Sequence, residues 1–187
     1  MEWIIPGTVL RSPKEDAAYI EAQFNSMFLG GGMVLSQVAG ITGLEPYTVQ
    51  NWVKRGFLPP TDRKKYSLNQ LCRIININML KSVLPMERIC GLLIYINGDL
   101  DDTSDDIIDD AQLYFMFVRL AAHYRVMHNS DGRDEQINAE LAHYTEPFPG
   151  AKERVQKVLR VMLTAWASAQ LRQVAEQMLT DMETEGK

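Results

Sequence analysis

The chain has 187 residues, 46% apolar and 23% charged, which is enough for one domain or two small ones with a real core and too apolar for a disordered chain. Its formal charge of −5 is unevenly spread: residues 1–98 carry 10 Lys and Arg against 7 Asp and Glu (+3), residues 99–187 carry 9 against 17 (−8), and 34–98 alone carry 8 against 3 (+5). There is no membrane-length apolar run and no signal-peptide pattern, and the only cysteines are Cys72 and Cys90 in apolar helical patterns, so the expectation is a cytoplasmic protein without disulfides or membrane contact.

Trp3, Ile4 and Ile5 read as an extended segment docked on something apolar. Ser12-Pro13-Lys14-Glu15 has the form of a capping box that opens a short helix ending at Gly30-Gly31-Gly32. The three glycines predict a flexible joint.

The most informative stretch is Val34 to Tyr66. Leu35, Val38, Ala39 and Thr42 follow a helical spacing, and Gly43 stands where the chain must reverse. Pro46 suits the first position of a second helix, Tyr47 to Arg55, which turns Val49, Trp52 and Val53 inward and Tyr47, Gln50, Asn51 and Lys54 outward. Two prolines then deny a helix to Gly56–Tyr66, predicting a loop or short β-wing with exposed Arg63, Lys64 and Lys65. Two crossed helices followed by positive charge describe a DNA-reading helix-turn-helix. A third helix, Leu68 to about Val83, and a fourth opened by Pro85 with Met86, Ile89, Leu92, Leu93 and Ile96 inward complete this half.

Several of these motifs in register make residues 34–93 resemble the winged DNA-binding domain of MerR-type regulators: Val38-Ala39, Thr42-Gly43, Thr48-Val49, Gly56-Phe57-Leu58-Pro59, Arg63 with Tyr66-Ser67, and Glu87 with Ile89. The resemblance implies that the second helix enters the major groove and the wing grips backbone. The chain departs from the family at Gln50-Asn51, where an Arg-Tyr pair is usual; Asn51-Trp52 is instead similar to excisionase-like proteins. The whole chain also resembles a bacterial family known only as domain of unknown function 1836, which implies no activity.

Seven aspartates between Asp99 and Asp110 lack the Gly and the final Glu of a calcium loop and are expected to form a linker and a helix start capped near Thr103 or Ser104. His123, His128 and His143 have no metal-ligand spacing, and no nucleophile or phosphate-loop motif is present, so neither an enzyme nor a cofactor is expected. Ile107 to Met127 is apolar nearly all round, a short helix is possible over Asp134 to His143, and from Lys152 to about Met182 a long helix carries a stripe of Leu159, Leu163, Ala167, Leu171, Val174, Met178 and Met182.

The expectation is therefore an all-α protein with a small wing: residues 1–98 for DNA binding, and 99–187 a helical bundle for dimerisation and sensing. Duplex DNA would be held by Tyr47, Thr48, Gln50, Asn51, Lys54, Arg55, Arg63, Lys64, Lys65 and Tyr66. Tyr114, Phe117, Tyr124, Leu159, Met162 and Trp166 would line a homodimer interface or a pocket for a small-molecule or protein effector. The alternatives are an architectural, excisionase-like factor or a protein-interaction module that no longer binds DNA.

Overall fold

In the computed structural model, which describes residues 3–13, 16–98, 100, 102–123 and 130–185, eight helices surround one core and the only sheet is a two-stranded hairpin. The hairpin pairs β1 (Trp3–Ile4) with β2 (Arg11–Ser12), so the N-terminal apolar segment meets its own continuation, and Ile5 enters the core. Ser12 is thus a strand residue. Helix α1 (Ala17–Met27) is capped instead by the Asp16 carboxylate, which accepts from Tyr19 N–H at 3.1 Å; Lys14 and Glu15 lie outside the described residues.

Helices α2 (Leu35–Thr42) and α3 (Pro46–Lys54) pack together across the turn at Gly43, whose φ of +68° requires a residue without Cβ strain. The Gly30–Gly32 joint is tighter than its composition predicts. A Cβ on Gly32 would stand 2.7 Å from the Tyr66 carbonyl, and the next residue, Met33, exchanges both backbone hydrogen bonds with Tyr66. Glycine here serves close approach rather than flexibility.

Helix α4 (Leu68–Leu80) is the axis of the molecule: Leu71, Cys72, Ile74, Ile75, Ile77 and Leu80 are fully buried, covering nearly its whole circumference. It packs on α6 (Asp110–Ala122), equally enclosed, with α5 (Met86–Asn97) and α8 (Ala151–Glu185) around them. Helix α7 (Ser130–Glu140) lies against α6 and α8. One apolar cluster runs from Ile5 to Ala165, so residues 1–98 and 99–187 share a core across the change in charge at residue 98.

An all-round apolar helix has no direction of its own, and polar residues supply it. Asn69, Arg73 and Asn76, spaced i, i+4 and i+7 along α4, all meet the start of α6. The Asn69 side-chain Oδ1 accepts from Ala111 N–H at 3.2 Å, the Arg73 guanidinium pairs with the Asp110 carboxylate at 3.2 Å, and the Asn76 side-chain amide donates to the Asp110 backbone carbonyl at 3.4 Å. Arg73, only 3% exposed, also donates through Nε to the Phe57 carbonyl at 3.1 Å. Helix α6 itself is capped by Asp109, which accepts from Gln112 N–H at 2.7 Å; Thr103 and Ser104 belong to a separate single turn of 3₁₀-helix (Thr103–Asp105).

Removing one member of such a pair strands a buried charge. Arg73→Met is expected to cost about 3–5 kcal/mol in urea denaturation, and Arg73→Met with Asp110→Leu to regain most of it. A double variant as unstable as the single would show that the pair does not hold α4 to α6.

Candidate nucleic-acid interface

The candidate interface begins with helix α3. Its period sends Val49 and Trp52 into the core and leaves Tyr47, Gln50, Asn51 and Lys54 exposed, with Thr48 half-buried between the two faces. The side chains of Gln50, Asn51 and Lys54 make no hydrogen bond among the described residues, so their full donor and acceptor capacity faces outward. Arg55 ends the helix with its guanidinium stacked 4.8 Å from the Phe57 ring centre, which fixes the charge beside the chain reversal at Gly56.

From there the chain is held down on α4. The Gln70 amide, already part of a reciprocal cap with Ser67, donates to the carbonyls of Pro59 (3.3 Å) and Pro60 (2.9 Å), and Arg73 holds that of Phe57. Prolines lack N–H groups but keep carbonyls, so a helix with long amide and guanidinium side chains is what can anchor them.

Beyond Thr61 the chain makes a closed turn, Asp62-Arg63-Lys64-Lys65, with Lys65 N–H donating to the Asp62 carbonyl at 2.8 Å. Both central residues are left-handed, Arg63 at φ +47° and Lys64 at φ +60°, which is the geometry of a type I′ hairpin turn. Asn-Gly is the pair that fits this turn without strain. Two long cationic residues stand there instead, exposed and without an ion pair among the described residues.

The remaining residues of the expected set fall elsewhere. Tyr66 is 6% exposed: its backbone closes the loop against Met33 while its ring is core, and burial pushes its phenol up. It therefore leaves the contact set. Four residues of the expected effector or dimer set are core as well. Tyr114, Phe117, Leu159 and Met162 are fully buried; the Tyr114 ring packs tilted against Phe24 and Phe115, and Phe117 meets the half-buried Trp166 edge-on at 6.0 Å. The Tyr114 hydroxyl is spent on the Pro6 carbonyl at 3.0 Å. Tyr124 and His128 lie outside the described residues, and His123 and His143 are exposed. Cys72 and Cys90 are buried free thiols, both pushed up by burial, Cys72 strongly.

The α8 stripe divides. Leu159, Leu163 and Ala167 are buried, whereas Leu171, Val174, Met178 and Met182 continue the same line exposed to solvent, Leu171 at 72%. Sequence reasoning misses the anchors on α4, although Asn69, Arg73 and Asn76 interrupt an apolar helix at one-face spacing, which is the signal that marks them.

Residues 20–117, from α1 into α6, match the family described as "Domain of unknown function (DUF1836)". The chain belongs to that family. The matched segment carries every residue of the candidate interface together with Arg73 and Asp110, and stops short of α7 and α8. The chain is also similar to the uncharacterized protein YkrK of Bacillus subtilis (strain 168), 25% identical over 160 residues that cover 79% of this chain and 69% of the relative. No solved structure matches it. None of the described helices is long and apolar enough to cross a membrane.

The left-handed pair makes the turn a source of strain rather than stability. Arg63→Asn with Lys64→Gly is expected to stabilise the fold by about 1 kcal/mol in urea denaturation, because each L side chain larger than Asn costs ~1–2 kcal/mol in this region. A destabilised double variant would mean that the two cations are held by contacts worth more than the strain.

Proposed function

We propose that this chain is a sequence-specific transcriptional regulator that binds duplex DNA as a homodimer through a MerR-like winged helix-turn-helix. In this reading α2 and α3 are the two helices of the motif, Gln50 and Asn51 on α3 read base edges in the major groove, and the Arg63–Lys65 turn is the wing that grips phosphate. The observation that carries it is the Arg63-Lys64 pair in left-handed backbone. A solvated loop gains nothing from two strained cations, whereas a phosphate-contacting tip gains charge where the chain is most exposed. The free amides of α3 support the same reading, as does the +5 balance of residues 34–98 in an acidic chain.

The phosphate grip then rests on Lys54, Arg55, Arg63, Lys64 and Lys65. This is a small set for one copy, and pairing two copies adds their contacts. The exposed Leu171–Met182 line of α8 supplies an apolar surface for that pairing, in place of the buried aromatic set.

Two measurements test the reading. Lys64→Ala with Lys65→Ala is expected to weaken binding to random-sequence duplexes and to lower the slope of log affinity against log salt by about 2, one for each phosphate that is no longer neutralised. An unchanged slope removes the turn from the interface, and no duplex binding by the native chain at low salt favours a protein-interaction module instead. Met178→Asp with Leu171→Asp is expected to convert dimer to monomer in sedimentation equilibrium while helical circular dichroism is kept; a native chain that is itself monomeric ends the dimer reading.

A further inference from the structure

Helix α8 carries a second seam on its outer side. Val161, Thr164, Ser168, Leu171, Ala175, Met178 and Met182 follow one another at alternating steps of three and four residues, and every one of them is exposed. That spacing is the heptad seam of a helix that pairs with another helix. From Leu171 to Thr184 each residue is exposed, and a helical segment of that length is marginal in water without a partner. The two halves of the seam differ in size. Val161, Thr164 and Ser168 are small, and they share a groove of about 380 Å³ with Val83 and Leu84, which lie between α4 and α5. Leu171, Met178 and Met182 are long.

A seam with one small and one long half is complementary to itself turned end for end. A parallel pairing of two copies would set long side chains on long ones and leave both grooves empty. An antiparallel pairing centred near Gln173 sets Met182 on Thr164, Met178 on Ser168 and Leu171 on Ala175, so long side chains enter the spaces beside small ones. Each copy then offers the same surface to the other, as a two-fold interface requires. Charge selects the same alignment. Residues 157–168 hold Lys157 and Arg160 and no acid, whereas residues 175–183 hold Glu176, Asp181 and Glu183 and no Lys or Arg. Glu153 and Asp134 pair with the two cations, so the first segment is at most neutralised while the second stays acidic. The antiparallel pair therefore avoids the acid-on-acid contact that the parallel pair would make. We propose that the exposed end of α8 docks antiparallel on a second copy of this chain, Met178 and Met182 of each copy seated in the groove beside Val83 and Leu84 of the other.

This inference rests on the homodimer reading above and gives it a direction: Val83 and Leu84 belong to the half that carries the candidate interface, so each tail crosses to that half of its partner. The full chain is tested without DNA, by mild oxidation of cysteine variants; the native Cys72 and Cys90 are buried and stay out of the reaction. Ser168→Cys with Met178→Cys is expected to give a covalent dimer, because each thiol faces the other kind across the seam, and the two positions lie ~15 Å apart within one helix, too far to link internally. Met182→Cys alone is expected to give none. Val161→Glu, at an exposed position, is expected to raise the dimer dissociation constant at least about tenfold in sedimentation equilibrium, with helical circular dichroism kept. A native dimer that yields no link in the double variant, links through Met182→Cys alone, or tolerates Val161→Glu overturns this docking and leaves the homodimer reading standing. A native chain that is monomeric ends both.

Discussion

The buried pair of Arg73 and Asp110 is the constraint on which the arrangement of this protein depends. An apolar helix as fully covered as α4 can rotate or slide against its neighbours at little cost, since dispersion and hydrophobic burial are nearly non-directional. A buried guanidinium cannot, because leaving its partner removes a charge-assisted hydrogen bond in a poor solvent for charge. Arg73 therefore sets the rotation of α4 relative to α6, and Asn69 and Asn76, on the same side, repeat the instruction. The same guanidinium holds the Phe57 carbonyl, so the base of the Gly56–Tyr66 loop is placed by the contact that joins the two halves of the chain. A displacement of Asp110 reaches that loop through a single side chain.

At the far end of the loop the balance is reversed. The Asp62–Lys65 turn is closed by one backbone hydrogen bond, and its two central residues are among the poorer choices for left-handed backbone. The fold tolerates this because the loop is anchored elsewhere, by Gln70 on the proline carbonyls and by the Met33–Tyr66 pairing. Stability is concentrated in the buried base and strain in the exposed tip, a division that leaves the tip free to be chosen for charge. A cavity beside it is lined from both, by Asp62, Arg63 and Lys65 of the turn and by Arg73 and Asp110 of the buried joint.

Much of this was legible along the chain, and the reason differs element by element. Helix α3 declared its two faces because Val49 and Trp52 alternate with polar residues at helical period, and solvent enforces that alternation locally. Gly43 and Pro46 marked the turn because their backbone preferences act within one or two residues. The N-terminal hairpin was less legible: Trp3–Ile4 pairs with Arg11–Ser12 through polar and apolar residues that carry no shared period, and the Ser12 capping pattern lost to a strand and to Asp16. Tyr66 had the chemistry of a phosphate contact but the geometry of a core residue, which depends on where Met33 returns.

The long stripe on α8 shows the boundary most clearly. Sequence alone determined that Leu159 to Met182 lies on one helical line, because the 3.6-residue period is a property of the backbone. Only the tertiary structure decided that the line is covered as far as Ala167 and open from Leu171, because coverage depends on where the other helices end in space. Likewise, the sequence determined that charge gathers in 34–98 and acid beyond it. That Arg73 from the first meets Asp110 of the second, and that Lys65 and Asp106 face one cavity, was decided by packing, since contacts across 37 or 41 residues leave no local mark on the chain.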